Sequence, residues 1–350
     1  MKTAGRQKAY FLFILFSLFT LASCSHTKVA VPLPQPVPAK EDAPKAEAVT
    51  ADPKVFVENL LVSKGHKRMQ VRSLLNDPRF AVNTGIITRN LFNSAPKGSA
   101  KTPGVMEVDP KFYPRGVAFI EQHQDAFKIA WEKYEISPEL ITAILILETK
   151  LGSYPMRYNV FQVYATLATL LDSEYLDSVL QSKGGKYKLD DKVLKSSRAK
   201  GKWGLEELSA LLQLSDGLGI DPIDIMGSFA GALGPAQFIP TSFVKYGADG
   251  NNDGKRDPFN IDDSIVSIAN YMKLAGWKED ADLKRRRQAI WIYNHHDVYV
   301  NTILMIYCNL VTEGEKYKPE NQGQENAATD GSAGPGRTGD PVPADTPVTP

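Results

Sequence analysis

The sequence predicts a mainly α protein. Apolar residues recur at helical spacing through most of the interior, strand-like alternation is scarce, and Ser137-Pro138-Glu139 places a cap residue, a Pro and an acid at one helix start. With 43% hydrophobic residues in 350 positions there is enough apolar material for a sizeable core. A formal net charge of +1 gives no electrostatic motive for nucleic-acid binding, so no nucleic-acid partner is expected.

The first 23 residues differ in kind. Lys2, Arg6 and Lys8 precede an apolar run over 9–22, too short to cross a bilayer comfortably and shaped like an export signal. The run ends in Leu21-Ala22-Ser23-Cys24, which resembles a bacterial lipoprotein signal. An ordinary signal peptide, or an anchor helix that happens to contain Cys, is the competing account. On the lipoprotein reading, Cys24 is acylated and ties the chain to a membrane without spanning it. Ser25 after the Cys then implies the outer membrane, facing the periplasm. Residues 24–55 are rich in Pro and Ala and read as an extended tether. The second cysteine, Cys308, lies in an apolar pattern and has no disulfide partner once Cys24 is acylated, so a buried, inert thiol is expected.

Residues 56–316 form the expected folded body, and 317–350, rich in Gly, Pro, Asp and Thr, an expected disordered tail. Within the body, 116–134 reads as one amphipathic helix and 138–149 as the next, capped by Ser137. The basic stretch 183–202 reads as a solvated loop or frayed helix. Further helical patterns cover 205–214, 264–274 and 287–313, the last broken near His295.

The helix at 138–149 ends in a puzzle, because Ile144-Leu145-Ile146-Leu147 runs directly into Glu148. Ile141, Ile144 and Leu145 share its side of the helix at i−7, i−4 and i−3. Burial and the negative helix end both disfavour the carboxylate, so its pKa should rise, as a general acid near neutral pH requires. The competing account is a frayed helix end that points Glu148 into water, with Gly152 as terminator.

Glu148-Thr149-Lys150-Leu151-Gly152, Val163-Tyr164-Ala165-Thr166-Leu167-Ala168, Gly227-Ser228-Phe229-Ala230-Gly231-Ala232-Leu233-Gly234-Pro235-Ala236-Gln237-Phe238, Ser267-Ile268-Ala269-Asn270-Tyr271 and Tyr293-Asn294 resemble, in that order, blocks of the membrane-bound lytic murein transglycosylase B family. The resemblance spans roughly residues 115–310. It implies a lysozyme-like α-helical catalytic domain with an inserted EF-hand-like loop. It also implies Glu148 as sole catalytic acid and base, and non-hydrolytic cleavage of the MurNAc–GlcNAc bond of peptidoglycan glycan strands to 1,6-anhydro ends. Ser228, Gln237, Tyr293, Asn294 and Tyr299 match substrate-cleft positions. Partners would be the glycan strands, the membrane through the Cys24 lipid and other cell-wall enzymes. A hydrolytic muramidase on the same fold, or a peptidoglycan-binding lipoprotein without turnover, are the alternatives. The family's aromatic segment before the catalytic helix has no clear counterpart over 91–111; Phe112 and Tyr113 stand nearby in a different context.

Asp249-Gly250-Asn251-Asn252-Asp253-Gly254-Lys255 has oxygen donors at loop positions 1, 3 and 5 and Gly at 6, the pattern of a calcium loop, with the Lys255 carbonyl at position 7. Asn260 replaces the usual Glu at position 12, and by the resemblance Asp263 is the displaced acid. The chemistry at Glu148 needs no cofactor, so any calcium is expected to be structural. A plain Asx-rich turn is the alternative.

Overall fold

A computed structural model describes residues 52–92 and 104–316. The signal, Cys24, most of the tether and the tail fall outside the described residues. Three short helices open the fold, α1 (Pro53–Ser63), α2 (Arg68–Leu75) and α3 (Thr84–Phe92), and three more carry the chain to Glu148: α4 (Phe112–Gln122), α5 (Gln124–Tyr134) and α6 (Pro138–Thr149). A two-residue strand β1 (Tyr158–Asn159) leads into α7 (Val160–Ala168), α8 (Ser173–Gln181) and the long α9 (Asp191–Leu218). After β2 (Met226–Gly227) come α10 (Pro240–Tyr246), α11 (Ile261–Leu274), α12 (Leu283–Tyr293) and α13 (Asp297–Lys316). The strands pair antiparallel, Tyr158 opposite Gly227. The mainly α expectation therefore holds among the described residues.

Two hydrophobic clusters sit side by side. One gathers Phe127 of α5, Ile141 and Ile144 of α6, Trp277, Ile290 of α12 and Ile303 of α13. The other gathers Leu61, Leu75 and Ile87 of α1–α3 with Phe161, Leu167 and Leu208 of α7 and α9. The chain over 225–238 crosses between them: Ile225 and Leu233 belong to the second cluster, Ala236 and Phe238 to the first.

Several expectations need correction. Residues 116–134 are two helices, α4 and α5, broken at His123, whose Nδ1 lies 2.6 Å from Asp262 Oδ1 at the start of α11 and whose ring packs on Phe119. Ser137 occupies the cap position of α6 without making a side-chain cap bond; its Oγ is buried with no partner among the described residues, and its N–H donates to Glu279 instead. The basic stretch is no loop beyond Asp190, which caps α9 by accepting from Val193 N. Its second half is the first part of α9, where Ser197, Gly201 and Gly204 are buried and Lys192, Lys195, Arg198 and Lys202 stay exposed. Cys308 is exposed: the buried stripe of α13 runs through Tyr299, Val300, Ile303, Ile306 and Leu310, and position 308 falls off it. Among the described residues no helix is long and apolar enough to cross a membrane.

Gly204 lets α9 lie against α7, since a Cβ there would sit 2.5 Å from Leu167 Cβ, whereas one at Gly217 on the same helix would meet nothing. Alanine improves helix propensity at either site by up to about 1 kcal/mol, and overpacking costs about 1–3 kcal/mol. Urea unfolding should therefore show Gly204→Ala destabilised and Gly217→Ala stabilised.

Candidate active site

Glu148 is the penultimate residue of α6 and is 6% exposed, with Ile141, Ile144 and Leu145 fully buried beneath it. The frayed-end alternative fails. The helix stops at Thr149, and Lys150, not Gly152, is the left-handed residue that closes it: the Lys150 and Leu151 N–H groups return to the Ile146 and Leu145 carbonyls. Lys150, Leu151 and Gly152 all have positive φ, so the chain reverses immediately behind the acid.

Among the described residues, Tyr299 is the hydrogen-bond partner of the Glu148 carboxyl, its hydroxyl donating to Oε1 at 2.8 Å. Burial pushes the Glu148 pKa up to about 7, against the smaller lowering effect of that bond. Tyr299 is itself buried, and burial and the facing carboxylate push its phenol well above the ordinary range. Its ring stacks on Tyr293 at 6.4 Å and 7°, and Tyr271 meets Tyr293 edge-on at 4.9 Å. Tyr293 gives its hydroxyl to the Ala236 carbonyl, 2.7 Å away, and not to the acid. Of the two tyrosines matched to cleft positions, Tyr299 sits on the acid and Tyr293 supports it.

The glycine-rich segment forms a wall beside Glu148. Its glycines are used for approach by protein: a Cβ at Gly227 would collide with Ala232 O and Val160, at Gly231 with the Tyr164 ring and at Gly234 with the Pro258 carbonyl. Three side chains from three helices pin its backbone, and a fourth holds the start of α10 that follows it. Tyr164 donates to Gly231 O at 3.0 Å, Thr149 to Pro235 O at 2.7 Å, Tyr293 to Ala236 O, and Glu207 accepts from Thr241 N and Oγ1 at 2.9 and 2.7 Å. Thr149, Tyr164 and Glu207 were not singled out from sequence. Thr149 follows the acid directly, and that adjacency was the available signal.

Ser228 and Gln237 lie in this wall, and among the described residues their hydrogen bonds go elsewhere than to Glu148. Ser228 Oγ accepts from Ala232 N at 3.0 Å, closing a turn. Gln237 is held at φ +53, its Nε2 donating to Gly234 O at 2.9 Å; a non-glycine residue in that region carries backbone strain of about 1–3 kcal/mol. Asn294 ends α12, with its Oδ1 buried and without a partner among the described residues.

The acidic loop is closed by its own bonds. Asp249 Oδ2 accepts from Gly254 N, Asn251 from Asp253 N and Asp253 from Lys255 N. Asp263, fully buried, accepts from Gly250 N and Asp257 N. Among the described residues no three His, Cys, Asp or Glu side chains converge as a metal-holding group. Asp249 Oδ1 is nonetheless buried without a partner among the described residues, and the donors of the loop are all oxygens, which suits calcium.

The sequence pattern of the family described as "Transglycosylase SLT domain" matches residues 52–295. The chain is 27% identical over 234 residues to membrane-bound lytic murein transglycosylase B of Escherichia coli K12, covering 63% of this chain and 56% of that protein. It thus spans little more than half the length of that relative. Structures of the E. coli lytic transglycosylase Slt35, one in complex with bulgecin A and one with calcium, superpose with TM-score 0.60 at 20% identity, over 75% of this chain and 94% of theirs. Pseudomonas aeruginosa SltB3 in complex with NAG-anhNAM-pentapeptide gives 0.56 at 17%, over 75% and 79%. The lysozyme-like α-helical fold expected from the sequence is the fold these structures share.

A carboxyl with a folded-state pKa of about 7 and an ordinary value of 4.5 binds more protons folded than unfolded between those pH values. Stability conferred by this group falls as pH rises through that window, and the cost is fully present above it. Glu148→Gln should therefore be more stable than the parent at pH 8, on the order of 3 kcal/mol, and the gain should vanish near pH 4. Denaturant melts at the two pH values measure it.

Proposed function

This chain belongs to the transglycosylase SLT domain family, and we propose on that basis that it is a lytic transglycosylase that cleaves the MurNAc–GlcNAc bond of peptidoglycan glycan strands without water. The observation that carries the reading is Glu148, nearly buried, with its pKa raised to about 7 and a tyrosine steadying one oxygen. A carboxyl in that state holds a proton at neutral pH and can release it.

In the proposed reaction the protonated Glu148 gives its proton to the glycosidic oxygen as the bond to MurNAc C1 breaks, and GlcNAc leaves with a free hydroxyl. The acetamido group of MurNAc stabilises the positive charge at C1. Glu148, now a carboxylate with Tyr299 donating to it, takes the proton of the MurNAc C6 hydroxyl while that oxygen bonds to C1. The product is a 1,6-anhydro ring, and the acid is returned to its starting state. No second carboxylate is needed, because the substrate supplies the nucleophile, unlike the two-carboxylate glycosidases. Ser228, Gln237 and Asn294 would meet the sugar's hydroxyl and acetamido groups, the Asn294 carbonyl oxygen still lacking a partner.

Attachment to the periplasmic face of the outer membrane through a lipid on Cys24, and company with other cell-wall enzymes there, belong to the same reading; the E. coli relative is described as membrane-bound. We further infer that Asp249, Asn251, Asp253, the Lys255 carbonyl and Asp263 take one calcium ion, a structural tie between the loop and α11. The unpartnered Asp249 oxygen and the all-oxygen donor set support this.

Mass spectrometry of digested sacculi tests the chemistry. The parent protein should release 1,6-anhydro muropeptides and Glu148→Gln none. Reducing MurNAc ends would instead mark a hydrolase, and tight binding with no release a non-catalytic wall protein. For the loop, calcium at about 100 times its dissociation constant should stabilise the fold by about 2.7 kcal/mol, raising the melting temperature over that in EDTA, and Asp249→Ala should abolish the rise. Equal melting temperatures with and without calcium would overturn the assignment.

A further inference from the structure

An open groove of about 620 Å³ lies between α12 and the start of α13, lined by Lys284, Arg287, Gln288, Trp291, Asp297 and Val300. Four of the five α12 residues that line it stand at i, i+3, i+4 and i+7, a single stripe of the helix, with Leu283 beside them. Tyr293 lies on the opposite face, with its hydroxyl on Ala236. On α13, Tyr299 reaches Glu148 and the next residue, Val300, lines the groove. The groove thus occupies the other side of the same helical hairpin that steadies the acid. The His295 ring, next to Asn294, packs against Trp291 at 4.0 Å and 77°.

The lining has a definite chemistry. The Lys284 ammonium has no partner among the described residues. Arg287 donates to Asn301 Oδ1 at 2.6 Å, and its other nitrogen lies 3.9 Å from Asp297, an acid that is itself 83% exposed. Two cations therefore face one solvated acid, leaving a net positive groove floored by a partly exposed indole. Guanidinium and ammonium groups select carboxylates, and an indole face takes apolar or ring surface. A glycan strand offers both, because each MurNAc carries a lactyl-linked peptide with free carboxylates.

We propose that this groove is an accessory site for the carboxylate-bearing peptide stems of the glycan strand whose sugar is cleaved at Glu148, an assignment that rests on the function proposed above. A strand leaving the cleft past Asn294 meets Trp291 first and the cations next. The groove thereby makes the protein prefer peptide-bearing over bare glycan.

The test compares the full-length parent with Lys284→Glu and Trp291→Ala, on intact sacculi and on sacculi stripped of peptides by an amidase. Neither side chain touches the acid or the wall. On intact sacculi each variant should raise the half-saturating substrate concentration roughly fivefold to tenfold, with the maximal rate unchanged, and on stripped sacculi both should match the parent. Equal losses on the two substrates, or no loss on either, would overturn the groove. If the parent cleaves neither substrate, the proposed reaction falls and the groove is read by co-sedimentation. Retention of the parent on intact sacculi, lost in Lys284→Glu and equal on stripped material, then upholds it, and equal retention overturns it.

Discussion

A carboxyl taken out of water loses hydration worth several kcal/mol unless bonds replace it, and the described fold holds Glu148 in that condition with one donor. That single bond sets requirements on everything around it. Tyr299 can reach Oε1 only while α13 lies along α6, and its ring keeps its angle because Tyr293 stacks on it. Tyr293 is fixed in turn by the Ala236 carbonyl and by Tyr271, whose hydroxyl is spent on the Ile292 carbonyl. Each tyrosine after the first gives its hydroxyl to backbone, so only Tyr299 lowers the pKa of the acid and burial prevails.

The wall depends on the same economy. A stretch with Gly at 227, 231 and 234 would sample many conformations if left to itself, since glycine restricts the backbone least. Here its carbonyls are held by Tyr164 of the second hydrophobic cluster, by Tyr293 packed against the first and by Thr149 at the end of α6. The segment is thereby made a seam, with Leu233 in one core and Ala236 and Phe238 in the other. Gln237 can be kept in a left-handed conformation because the two residues before it, Pro235 and Ala236, are held in this way. Thr149 joins the two systems, being adjacent to the acid and bonded to the wall, so displacement of the wall would be felt at the end of α6.

Much of this was legible in the residues. The α6 start at Pro138, the burial of Glu148 and the break between α12 and α13 near His295 follow from a Pro at the first helical position, apolar spacing and the loss of pattern at His295-His296. What was not legible depended on distant contacts. His123 interrupts a continuous amphipathic pattern because Asp262, 139 positions away, binds it. The lysines of 183–202 suggested solvent, and solvent is where most of them lie, but Gly201 and Gly204 on the opposite face bring α9 against Leu171 and Leu167. Charge density showed one face of that helix, and its contacts with α7 determined that it was a helix at all. The pattern around Cys308 was apolar enough to suggest burial, yet a helix buries a stripe and not a stretch.

Two buried carboxylates now invite comparison, and their environments separate structure from chemistry. Glu207 is 2% exposed, and burial raises its pKa too, but both of its oxygens accept from Thr241 at the first turn of α10. Protonating it would turn an acceptor into a donor facing a backbone N–H, so its bonds define one state. Among the described residues Glu148 has no backbone donor and one phenol, which tolerates either protonation state because the second oxygen is left uncommitted there. A general acid that must also serve as base needs that latitude. Of two acids in similarly apolar surroundings, the one with fewer partners is the one free to exchange a proton, and it is the one whose neighbour Thr149 bonds to the seam, where the proposed function needs it.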